Sequence, residues 1–140
     1  MIGARWAAYA WAAPTSLLGL LAVALTAPRL RVVDGVLEAH GPRLARLLDL
    51  MAPQMHVLAM TLGHVVIARD AVALDDTRAH ERVHVHQAER WGPCFVPAYL
   101  IASAVAWGRG GDAYADNVFE RDAWSTAPVA TRVRPDAAAS

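Results

Sequence analysis

The chain has no lysine. Its 13 basic residues are all arginine, and 13 acidic residues balance them to a formal net charge of zero. A chain this balanced presents no field to a polyanion, which sets nucleic acid aside as a partner. Cysteine is nearly missing as well. Cys94 stands alone, which excludes an intrachain disulfide and a CxxC zinc knuckle. It is expected to serve as a small buried hydrophobe. Charge is missing from two long stretches, Trp6 to Pro28 and Trp91 to Trp107. No internal repeat is visible. The length of 140 residues fits one domain, or one domain with an anchor, and the 56% apolar content lies a little above the soluble range.

The first uncharged stretch is long enough for a membrane, since about 20 apolar residues cross the hydrocarbon core. Trp6, Tyr9 and Trp11 would then form an aromatic belt at one interface. Only Arg5 precedes the stretch, whereas Arg29, Arg31, Arg43 and Arg46 follow it. That asymmetry expects a retained anchor, or a helix lying on the surface, with the domain on the cytoplasmic side. A cleaved signal at Ala22-Val23-Ala24, leaving a secreted or periplasmic-side domain, is the alternative. A buried first helix of a soluble domain is a third.

After the anchor, Val33-Asp34-Gly35-Val36 lies inside an apolar run and predicts a hairpin over residues 30–40. Gly41-Pro42 breaks the chain. Apolar positions at 44, 47, 48 and 51 predict an amphipathic helix over 43–51. The β-branched run over 61–69 predicts a single strand. Asp75 and Asp76 are read as the N-cap of a helix over 77–91, stopped by Gly92-Pro93. Further helices are expected over 95–107 and around 118–124. From Ser125 onward, Pro, Ala, Ser and Arg without periodicity predict a flexible tail.

The chemistry sits on the helix over 77–91, in His80-Glu81-Arg82-Val83-His84. Histidines four apart share one helix face and can reach one ion. Glu81, adjacent to them, is suited to take a proton from an attacking water. Zinc suits imidazole and carboxylate ligands and commonly takes three from a protein, leaving a fourth position open. No histidine follows Gly92, so the third ligand is expected to be acidic. Glu120 is the first choice. Its rival role is a capping box with Asn117. Glu89 comes second, although it lies about 140° round the helix from His84. Asp116 is third. The alternative for the whole motif is a solvated helix face. A second crossing by residues 91–107 would put Glu120 across the bilayer from the histidines. With Glu120 as a ligand, that segment must therefore pack in the core or dip into one leaflet. The charged motif helix itself does not belong in lipid.

His80-Glu81-Arg82-Val83-His84-Val85-His86-Gln87 and Asp116-Asn117-Val118-Phe119-Glu120-Arg121-Asp122-Ala123 resemble the gluzincin branch of the zincin metallopeptidases. More narrowly, they resemble small bacterial membrane-associated proteins with an HExxHxxQ helix and a downstream Asn-x-x-Glu-x-x-Ala helix. The resemblance implies His80, His84 and Glu120 as zinc ligands and Glu81 as general base. The gap from His84 to Glu120 is longer than is typical of gluzincins. Trp124 stands where thermolysin-like members have an Asp, so Asp122 becomes the candidate carboxylate for orienting an imidazole. The resemblance also implies a substrate-pairing strand before the motif helix. Gly63, His64 and Val65, in the run to Ile67, are the candidates for it. Tyr99 or Tyr114 is the candidate oxyanion donor. His86 is expected at the surface, and His64 as a satisfied strand histidine.

The expected fold is α+β and mainly helical. Residues 1–28 form a hydrophobic N-terminal helix, 29–124 a minimal zincin-like domain with a small sheet or hairpin, and 125–140 the tail. The expected function is that of a membrane-associated zinc metallopeptidase carrying one Zn2+ and acting on a peptide or protein substrate. The alternatives are an inactive zinc-binding interaction protein and a membrane structural or assembly protein with a fortuitous motif.

Overall fold

Asp34 and Gly35 both take positive φ, 51° and 80°. That backbone joins two right-twisted strands through a two-residue turn, and Asp-Gly adopts it with little strain. In the computed structural model, which describes residues 2–128, these residues close the hairpin of β1 (Arg29–Val33) and β2 (Val36–His40), as the sequence predicts. A second hairpin stands where one strand is expected. Gly63, at φ 64°, and His64 turn β3 (Ala59–Leu62) back into β4 (Val65–Ala68). A positive φ at the first turn position suits glycine, so the chain reverses in the middle of the β-branched run.

The sheet order is β1-β2-β4-β3, with β2 and β4 parallel and the outer pairs antiparallel. β4 is buried on both faces. Val65 and Ile67 pack with Leu44 and Leu48 of α2 (Pro42–Met51) and with Ala22. Val66 and Ala68 face the other way, against Ala73, Leu74 and Val85 of α3 (Ala71–Trp91). That alternation is the period of two expected of a strand between two helical layers. The class is therefore α+β and mainly helical, with a small sheet and an apolar N-terminal helix.

Helix α1 (Ile2–Thr26) is long and apolar enough to cross a membrane. One face docks on the domain through small residues, with Ala12, Thr15 and Ala22 buried. A Cβ at Gly19 would lie 2.6 Å from Val65 Cβ, so glycine permits the close approach there. Polar contacts fix the same face: the Tyr9 hydroxyl donates to Gly35 O at 2.7 Å, and His64 N donates to Ser16 Oγ at 3.0 Å. Leu17, Leu18, Leu21 and Leu25 on the outer face are exposed.

Helix α3 starts before the expected cap. Its N-cap is Asp70, whose Oδ1 accepts from Ala73 N at 2.8 Å, whereas Asp75 and Asp76 lie inside the helix. Residues 71–74 are all apolar; Ala73 and Leu74 pack on the sheet while Ala71 and Val72 are exposed, and a first turn without polar residues hides the helix start from a reading by polarity. A short 3-10 turn, Gly92–Cys94, leads into α4 (Phe95–Gly108) and then α5 (Val118–Thr126). Cys94 is exposed, not buried as expected. It sits in the turn between two helices and not on a packed face. With 14 residues, α4 is about 21 Å long, short of a bilayer's hydrocarbon core of about 30 Å. Leu100, Ile101, Val105 and Trp107 along it are exposed. The expected tail overlaps α5 at Ser125 and Thr126, and its part beyond residue 128 lies outside the described residues.

Glu38 of β2 ties the sheet to α3. It is buried, and its oxygens accept from Arg31 Nε at 2.8 Å, Arg78 Nε at 2.9 Å and Arg82 Nη2 at 3.2 Å. Burial alone would raise its pKa, but the Arg78 and Arg31 guanidiniums win and hold it below its ordinary 4.5. Arg78 and Arg82 flank His80 on α3, so this cluster also sets the position of the motif helix. Glu38→Ala leaves the guanidiniums facing a vacated carboxylate site. It is expected to cost about 3–5 kcal/mol of stability in denaturant unfolding. A folded pKa below the unfolded one means the Glu38 contribution is full above pH 4.5 and fades as pH falls through the folded value. The wild-type advantage over the variant should shrink in that acid range.

Candidate metal centre

The motif helix α3 carries His80 and His84 one turn apart, and both rings are turned inward. α5 brings Glu120 to meet them, from its first turn. Asn117 places that turn: it is fully buried, its Oδ1 accepts from Phe119 N at 2.9 Å, and its Nδ2 donates to Tyr99 O and Ser103 Oγ. Glu120 does not reach back to the cap, because Asn117 N donates to Tyr114 O instead. The capping-box alternative therefore does not occupy its carboxylate.

The three side chains converge. His80 Nε2 lies 3.2 Å from Glu120 Oε2, His84 Nε2 3.3 Å from Glu120 Oε1, and the two Nε2 atoms 3.3 Å apart. A tetrahedral site with bonds near 2.0–2.1 Å has ligand–ligand edges of about 3.3 Å. Each contact is close to such an edge; the two histidines meet different oxygens of Glu120, and one donor atom from each residue lies within 4.8 Å of the others. Among the described residues this is the one His/Cys/Asp/Glu group of that kind. All are buried, His80 3%, His84 6% and Glu120 3% exposed.

Supporting bonds fix the ligand faces. Gln87 Oε1 lies 2.8 Å from His84 Nδ1. With the Nδ1 proton donated there, the Nε2 lone pair faces the centre. Gln87 Nε2 donates in turn to Phe119 O at 3.1 Å and Asp122 Oδ2 at 2.8 Å. Asp122 therefore orients an imidazole only through Gln87, not directly as expected. Two residues after Glu120, it lies about 200° round α5 from that ligand, and Gln87 spans the difference. His80 Nδ1 is buried with no partner. The Trp124 ring packs on His80 at 4.8 Å between centroids, so packing holds that ring.

Electrostatics separate the two glutamates. Burial alone would raise Glu120, but the His80 and His84 contacts and the Tyr99 hydroxyl outweigh it and hold it at about 2. Burial would lower His84, yet Glu120 raises it overall. Glu81 goes the other way: burial pushes it up, against the pull of His84, Thr61 and His80. Its Oε2 accepts from the Thr61 hydroxyl at 2.6 Å.

The other sequence candidates lie as follows. The Tyr99 hydroxyl donates to Glu120 Oε1 at 2.6 Å, so it is engaged by the carboxylate and not free as an oxyanion donor. Tyr114 is raised by burial and by Glu120, which places it beside the same carboxylate. Gly63 and His64 form a turn, and Val65 begins a strand paired on both sides. None of the three offers an open edge, so the expected substrate strand is corrected; the free edge on this side of the sheet is β3. Glu89 points away from the centre, to His64 Nε2 at 2.9 Å and exposed His86 Nδ1 at 3.0 Å. Asp116 accepts from Asp112 N, outside the centre. Sequence reading assigned no role to Gln87 or Thr61. Gln87 carries a local signal, since it lies three residues after His84 and so on the same helix face. Thr61 carries none, because its partner is 20 residues away.

Gln87→Ala frees the His84 ring and cuts the tie to α5. Zinc affinity is expected to fall by about 10–100-fold, read by titration against a chelator. Set against family models, curated proteins and solved structures, the chain matches none.

Proposed function

We propose that the protein is a membrane-associated zinc hydrolase, a metallopeptidase, with His80, His84 and Glu120 as ligands and Glu81 as general base. The observation that carries the reading is the convergence of three buried ligand side chains, each pair in contact at 3.2–3.3 Å, beside a buried second glutamate. Zinc in such a set supplies Lewis acidity and an acidified water. Glu81 takes the proton as the water oxygen adds to the amide carbonyl carbon, and passes it to the departing nitrogen as the C–N bond breaks. Thr61 holds the Glu81 carboxylate in place through Oε2. The edge strand β3, which carries Thr61, is the strand available to pair with an extended peptide. The resemblance of HExxH and Asn-x-x-Glu to gluzincins supports the same assignment. The apolar outer face of α1 supports a place in the membrane, and the arginines that follow it support a cytoplasmic side.

One observation favours a second reading, a zinc protein without catalysis. Glu81 is only 5% exposed, and the three ligands are as closed. Metal analysis of the purified full chain, followed by a broad peptide library, separates the two. Stoichiometric zinc with cleavage supports the hydrolase, and stoichiometric zinc without cleavage supports the second reading. Absence of bound zinc rejects both.

A further inference from the structure

We propose that the recess at the C-terminal end of α1 is a phosphate site, and that it takes the headgroup of an anionic phospholipid. The recess has a volume of about 700 Å³, and its walls include Pro28, Arg29, His40, Arg43, Arg69 and Asp70. Two of its charges are already in use. Arg69 donates to both oxygens of Asp49, and Asp70 caps α3. Arg29 and Arg43 are different. Both are exposed, and among the described residues neither side chain has a hydrogen-bond or ion-pair partner. Three guanidiniums against one carboxylate make this lining positive in a chain whose net charge is zero.

The start of α2 adds to the same wall. Its N-cap is Gly41, with no side-chain cap, and Pro42 has no N–H. Ala45 N is satisfied by Gly41 O. The N–H of exposed Arg43, which precedes the first bond of the helix, is left for an outside acceptor, whereas Leu44 is fully buried. Two guanidiniums without partners beside a helix start suit a phosphate, which accepts from several donors at once.

Position chooses the source of that phosphate. Thr26, Ala27 and Pro28, the end of the apolar helix, also line the recess. With the exposed face of α1, including Leu21 and Leu25, in lipid, the recess lies at headgroup depth. This inference rests on the membrane part of the function proposed above and not on the metal centre.

The test uses the full chain in detergent, with thermal unfolding as the readout. Short-chain phosphatidylglycerol is compared with phosphatidylcholine at equal concentration, and with inorganic phosphate. Phosphatidylglycerol is expected to raise the wild-type melting temperature by several degrees more than phosphatidylcholine. R29Q/R43Q should lose that increment. R46Q, an exposed arginine of α2 outside the recess, should keep it. An equal Arg29- and Arg43-dependent shift from inorganic phosphate would keep the phosphate site and overturn the headgroup as its source. Equal shifts from the two lipids with no phosphate effect, or an undiminished increment in R29Q/R43Q, would overturn the site itself. Zinc content of R29Q/R43Q, measured alongside, is expected to match wild type, so loss of the metal centre would be seen separately.

Discussion

Glu120→Ala is expected to strip the zinc from the protein, lowering affinity by at least about 100-fold, beyond the loss typical of an outer-shell contact. The carboxylate touches both imidazoles at 3.2–3.3 Å, and among the described residues no other acid joins the group: Glu89 is turned to His64 and His86, and Asp116 to Asp112. The change also leaves two buried imidazoles facing an empty space. Glu120→Gln keeps the volume and removes the charge, so a similar loss there assigns the effect to ligation and not to a cavity. Metal content per chain, with circular dichroism to check the fold, reads the outcome. Full zinc retention by both variants would sink the proposed centre. The pH behaviour follows from the same contacts. Without metal, Glu120 holds a proton on His84 above its ordinary range. Zinc must displace that proton, so apparent affinity should rise with pH until His84 is deprotonated on its own. Calorimetric heats that vary with buffer ionisation enthalpy would register the released proton.

Glu81→Gln is the second large effect. Removing the base should lower any measured amide hydrolysis by about 10²–10⁴-fold, while zinc stays bound, because Glu81 is not among the converging ligand atoms. Glutamine keeps an acceptor for the Thr61 hydroxyl, so the packing around Oε2 survives. An unchanged rate with full zinc occupancy would falsify the assignment of Glu81 as base. Loss of zinc in this variant would mean that the side chain supports the centre in some other way.

Several features were legible because their causes are local. Asp34-Gly35 sets its turn from within four residues, and the hairpin follows. His80 and His84 share a face because helical spacing requires it. Glu120 was the first choice for a ligand because it lies on a helix that the connecting helix over 95–107 could bring back to the histidines. The single strand expected over 61–69 failed for the opposite reason. Gly63 reverses the chain where α1 brings Ser16 against the turn, and that contact spans 48 residues. The same event removed Gly63, His64 and Val65 as a substrate strand, because β4 gained partners on both sides. Asp70 was missed as a cap because the first turn of α3 is apolar, and only Ala73 and Leu74 of it are explained by the sheet beneath them.

The sequence alone determined the helix that bears the two histidines, the residue types able to bind a cation, and the apolar stretch at the N-terminus. Those follow from short-range geometry and composition. Tertiary structure decided which acid completes the set, which side chains hold the imidazoles, and which arginines are left without partners. Each of those depends on where distant segments dock, and docking is governed by burial summed over the whole core, which no local spacing records.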